Sequence, residues 1–98
     1  MPINGTVYVF WDSDNDPEQR ADTYCNCVRS APAKGPNCQI RCRKIDVRDK
    51  NEPGMTYYSG NGTIEVVGVK ETNVVRRLKN PSQFCGTIHE LVEEMCEA

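Results

Sequence analysis

The chain has 98 residues, 38% of them hydrophobic and 27% charged, with a formal net charge of −2. That length suits one domain, residues 1–98, with a modest core, and the composition excludes a disordered chain. A charge this close to zero gives no general pull toward nucleic acid or an anionic membrane, and no apolar run approaches the ~20 residues of a membrane span.

Met1 to Gly5 lacks the basic and apolar regions of a signal peptide, so an intracellular, cytoplasmic chain is expected. Asn4-Gly5-Thr6 and Asn61-Gly62-Thr63 match a glycosylation sequon but read as turn residues in that setting. Thr6 to Trp11 are all β-formers without clean alternation, as in a central strand covered on both faces. Asp16 suits an N-cap, Pro17 the first helical position and Gln19 a capping box, predicting a helix from about Pro17 to Ser30. Its apolar stripe is Ala21, Tyr24, Cys25 and Val28, and Pro32, Gly35 and Pro36 end it.

A second strand is expected over about Cys38–Val47, with Cys38, Ile40 and Cys42 on one face. Met55–Ser59 and Thr63–Val69 flank Gly60-Asn61-Gly62, a hairpin signal. Asn73 or Thr72 is placed as the cap of a short helix through about Leu78. After Pro81 a second helix runs to the end, with Phe84, Ile88, Leu91, Val92 and Met95 as its stripe.

The resulting fold class is α/β, a β-α-β-β-β-α chain. The first three elements make parallel strands joined by a right-handed crossover. Closing the sheet in the order 2-1-3-4 requires the loop after Arg48 to step across two strand spacings, roughly 10 Å. A ferredoxin-like sandwich competes, but it wants a strand after the last helix. The order resembles the minimal thioredoxin fold. Val9-Phe10-Trp11 looks like the first core strand of that family, and Thr56 to Gly68 like its closing hairpin. The resemblance implies a mixed four-stranded sheet with flanking helices and thiol–disulfide chemistry. It also locates two departures. Where the family carries Cys-Gly-Pro-Cys, this chain reads Asn15-Asp16-Pro17-Glu18, and the nearest counterpart of the family's cis-proline is the displaced Pro53.

Six cysteines are the compositional outlier: Cys25, Cys27, Cys38, Cys42, Cys85 and Cys96. Fifteen connectivities are open to six. A reducing cytosol disfavours structural disulfides, leaving redox chemistry, metal binding or packing as small hydrophobes. Cys25 and Cys27 are the candidate catalytic pair, with Cys27 attacking as the more exposed thiol and Cys25 resolving. Against this, two residues along a helix diverge by about 200°, and a helix C-terminus disfavours a thiolate. If the Cys38/Cys42 face meets the first helix, one of those cysteines lies beside Cys25. Cys85 and His89 share an edge of the last helix, and with Cys38 and Cys42 they are the weak candidates for zinc or copper; Cys96 lies about 16 Å along the axis from Cys85, too far for one ion.

Asp12, Asp14 and Asp16 alternate as in a calcium loop or a phosphatase nucleophile motif, but the later positions of both are missing, so acidic capping is the simpler account. The basic residues Arg41, Arg43, Lys44, Arg48, Lys50, Arg76, Arg77 and Lys79 lack interleaved aromatics and read as solvated surface. No cofactor, nucleic acid or membrane is expected. Two readings stand together, a thiol–disulfide oxidoreductase acting on a protein disulfide or a non-catalytic module that binds a protein partner or acts structurally, and a zinc- or copper-binding cysteine-rich module is the third.

Overall fold

The computed structural model describes residues 3–14, 20–32, 37–60, 64–81 and 84–97. Among them are β1 (Ile3–Trp11), α1 (Arg20–Arg29), β2 (Cys38–Asp46), a 3-10 helix (Pro53–Tyr57), β3 (Ile64–Lys70), β4 (Asn73–Lys79) and α2 (Gly86–Cys96). The sheet order is β2-β1-β3-β4, the mixed order expected. β1 runs parallel to β2 and antiparallel to β3, which pairs antiparallel with β4. The proposed capping residues of α1, and Asn15 to Glu18 with them, lie outside the described residues, as do Gly35, Pro36 and Asn61 to Thr63.

β1 is central, so each of its faces needs a cover. Val7 and Val9 point to the helical layer, where Tyr24, Val28, Ile88, Leu91, Val92 and Met95 fill the main core. Phe10 and Tyr8 point the other way, into a smaller cluster with Ile45, Val67, Val69, Met55, Tyr57 and Tyr58. The loss of alternation in Thr6–Trp11 is thus explained by two cores of unequal size. α2 comes close because position 68 is glycine. A Cβ there would stand 2.7 Å from Met95 Sδ and 2.9 Å from Leu91 Cδ1.

Two elements differ from expectation. Met55–Ser59 is not a strand: Pro53 opens a 3-10 helix on a trans peptide bond, and the segment crosses the outer sheet face. It is pinned there by Glu65, only 2% exposed. The Glu65 carboxylate accepts from the Ser59 amide at 2.9 Å and from the Ser59 hydroxyl, and Arg77 Nη1 lies 3.4 Å away. Arg77 also donates to the Tyr57 carbonyl. A buried carboxylate is tolerated when hydrogen bonds and a cation satisfy it.

The second difference is that Asn73–Leu78 is not a helix but most of β4. The closing hairpin is therefore β3–β4, turning at Glu71 and Thr72, and not the pair flanking Gly60. A bulge between Gly68 and Val69 pairs Gly68 with Arg76 and Val69 with Val74, leaving Val75 as the extra residue. Val75 and Leu78 consequently both pack on the main core at a spacing of three, which imitates a helical stripe. α2 begins at Gly86, so Phe84 is outside it and 84% exposed. The remaining stripe residues, Ile88, Leu91, Val92 and Met95, are buried.

Two measurements check this packing. A Cβ at Gly54 would meet Ile45 Cδ1 at 2.5 Å and the Tyr8 ring at 2.8 Å. Tyr8 is backed by Phe10 and Tyr57, with ring centroids 5.9 and 5.3 Å away, so it has little room to yield. Gly54→Ala is expected to cost about 1–3 kcal/mol in urea denaturation. At the end of β2, the Arg48 amide donates to Asp46 Oδ1 at 3.1 Å. This bond, aided by Ser13 and by the charge of Arg48, holds the Asp46 carboxyl below its ordinary value against a smaller opposing effect of burial. A lowered folded-state value stabilises the fold above the unfolded value of ~3.9 and ceases to do so as pH falls through the folded value. The stability difference between the parent and Asp46→Asn should therefore be present near neutrality and vanish in strong acid.

Candidate functional site

All six cysteines are oxidised, in the pairs Cys25–Cys42, Cys27–Cys85 and Cys38–Cys96, with Cα separations of 5.5, 5.1 and 5.7 Å. The expectation that a cytoplasmic setting leaves them unpaired is not met. Cys25 lies on the α1 stripe facing the sheet, and Cys42 on the β2 face that turns toward it, so the juxtaposition expected of that face is present. Cys27 is the surprise. Its offset of about 200° from Cys25 directs it away from β2, yet α2's approach covers that side as well. Cys27 is 0% exposed and Cys25 3%, so Cys27 is not the more accessible thiol. Cys25 and Cys27 do not pair with each other; each is bound to a different element.

The geometry of the bridges follows one rule. α1 holds Cys25 and Cys27, β2 holds Cys38 and Cys42, and α2 with its leading residue holds Cys85 and Cys96. Each pair of these elements shares one bridge. Each bridge joins one buried sulfur-bearing residue (Cys25, Cys27, Cys38) to one half-buried residue (Cys42, Cys85, Cys96). Cys85 is the N-cap of α2, where the helix dipole favours a thiolate. Attack from solvent falls on the half-buried Cys85, however, and the sulfur then released is that of the buried Cys27 in the last turns of α1. A thiolate there is both desolvated and at the wrong end of a dipole, a poor leaving group.

The metal candidates fare similarly. Cys38, Cys42 and Cys85 have no thiolate to offer, and His89 Nε2 lies 3.4 Å from Ser30 Oγ. No group of three or more His, Cys, Asp or Glu among the described residues is arranged to hold an ion. Asp12 accepts from the Asp14 amide at 2.9 Å, and both carboxylates face Arg48, at 3.8 and 2.6 Å. The acidic loop thus has a cationic partner within the chain; Asp16 lies outside the described residues. Several of the basic residues are likewise engaged, Arg43 with Glu52, Lys44 with Asp22, Arg76 with Glu94 and Arg77 with Glu65.

No helix among the described residues is long and apolar enough to cross a membrane. No family model, curated protein or solved structure matches the chain.

The bridges close segments of different length. Cys25–Cys42 spans 17 residues of sequence, whereas Cys27–Cys85 and Cys38–Cys96 each span 58. Chain entropy then assigns ~3 kcal/mol to the first and ~4 kcal/mol to each of the others. Paired Cys→Ala variants, compared by chemical denaturation, are expected to fall in that order, with Cys25→Ala/Cys42→Ala the mildest.

Proposed function

We propose that this chain is a non-catalytic thioredoxin-like module that works by binding a protein partner, in an oxidising compartment instead of the cytoplasm. The observation that carries this reading is the separate destination of Cys25 and Cys27. A thiol–disulfide exchange enzyme cycles one accessible dithiol, but here every sulfur is committed to a bridge between distinct elements, with its more buried member shielded. Three bridges in a chain of this size are what small domains use to supplement a limited core, and they persist where glutathione and thioredoxin do not reduce them. The likeness to thioredoxins is supported by the strand order, by the parallel β1–β2 pair and by the antiparallel closing hairpin. The shift of that hairpin from residues 56–68 to β3–β4 removes the local motif that had suggested it but keeps the topology.

The oxidoreductase reading, with Cys27 attacking and Cys25 resolving, makes the opposite prediction and is tested alongside. Insulin reduction by dithiothreitol should proceed at the same rate with and without this protein. In a glutathione buffer poised like the endoplasmic reticulum lumen, alkylation followed by intact mass measurement should find no free thiol until the chain is denatured with reductant. Acceleration of insulin reduction that Cys27→Ser abolishes would establish the enzyme instead.

A further inference from the structure

Among the described residues, the outer sheet face is only half covered. Over Phe10, Ile45 and Val67 lies the 3-10 segment, but toward the start of β1 the face is open and forms a depression of about 530 Å³. Asn4, Thr6, Gln39, Arg41 and Glu71 supply its polar lining, with Val69 and Tyr8 as apolar surface. The register explains their convergence. Arg41 pairs with Thr6 and Thr6 with Val69; Gln39 pairs with Asn4. These side chains stand on one face of three adjacent strands, within about 10 Å from β2 to β3. Glu71, in the β3–β4 turn, closes the far side.

Four properties of this lining narrow the ligand. Its one cation and one carboxylate stand on opposite sides and cancel, so neither an anion nor a cation is favoured. None of the five polar side chains makes a hydrogen bond or ion pair with another described residue, in contrast to Arg43, Arg48, Arg76 and Arg77. Four of the five end in planar amide, guanidinium or carboxylate groups, which present paired donors or acceptors suited to neighbouring hydroxyls. Polar surface outweighs apolar surface, so a ligand rich in hydroxyls fits the lining better than a hydrophobic side chain does. Glu71 adds a further sign: its φ is +56°, a conformation glycine adopts freely and glutamate at a cost. A two-residue turn has no need of that carboxylate, whereas the depression gains an acceptor from it.

We propose that this depression is a binding site for a neutral, polyhydroxylated ligand, a short saccharide, with Arg41 and Glu71 as its principal hydrogen-bonding residues. The site does not involve the cysteines, so it stands whether or not the chain exchanges thiols.

The test is an NMR titration of the full, oxidised chain with maltotriose, cellotriose and triacetylchitotriose, each taken into the millimolar range, beside diglycine and inorganic phosphate as charged controls. The expected result is a saturable shift of the Asn4, Thr6, Gln39 and Arg41 amides with at least one trisaccharide, indifferent to added sodium chloride because the ligand is uncharged. Arg41→Ala and Glu71→Gly should each weaken it about tenfold or more. Glu71→Gly should melt no lower than the parent, which separates loss of the ligand from loss of the fold. The proposal is overturned if no trisaccharide gives saturable shifts there, if only diglycine or phosphate does, or if both variants retain the parent affinity.

Discussion

Three elements, α1, β2 and α2, are joined pairwise by three disulfides, and most other features of the molecule take their place from that closed triangle. The bridges fix the helices over one face of the sheet at both ends, Cys85 leading into α2 and Cys96 closing it. With its ends held, α2 can lie close enough to β3 that only glycine fits at position 68. The main core is then sealed by Leu91 and Met95 without needing the larger hydrophobic volume that a longer chain would bring. What the triangle leaves untouched is the other face of the sheet. There the cover among the described residues is a 3-10 segment, held by noncovalent means through Glu65, Ser59 and Arg77.

This asymmetry divides labour between the two faces. The helical face is covalently locked and contains no accessible thiol. Among the described residues, the outer face is partly open, and the polar side chains that line its depression have no partners. Recognition on a rigid sheet is well served by such an arrangement, because side chains at fixed register are presented without an ordering cost in the backbone. A turn that holds Glu71 at positive φ is tolerated more readily where the rest of the scaffold is secured.

Much of the scaffold was legible in the residues. The β-formers of Thr6–Trp11, the α1 stripe and the crossover rule lead to the parallel β1–β2 pair and the strand order, and the α2 stripe follows from Ile88 to Met95. The hairpin was misplaced for two local reasons. Met55-Thr56-Tyr57-Tyr58 has β propensity, but Pro53-Gly54 before it favours a tight turn, and its tyrosines are spent on Tyr8 and Phe10 instead of a ladder. In β4 the bulge at Val75 shifts the alternation, and spacing in sequence then reports the wrong period. Of the cysteines, the meeting of Cys25 with Cys42 followed from a stripe and a strand face. The partner of Cys27 did not, because it depends on how the residues before α2 fold back, which no periodicity encodes. The polar depression was invisible for a similar reason: Asn4, Gln39 and Glu71 are far apart in the chain and meet only through register.

The triangle also bears on what happens when the backbone is cut. A peptide bond broken between residues 28 and 38 leaves Cys25–Cys42 and Cys27–Cys85 spanning the break, and one broken between residues 42 and 85 leaves Cys27–Cys85 and Cys38–Cys96. Between 38 and 42 all three bridges span it. A protease that nicks a loop between residues 28 and 85 therefore yields a two-piece molecule still held at two or more points, and the exposed residues from Arg48 to Asn51 can be clipped without releasing either half.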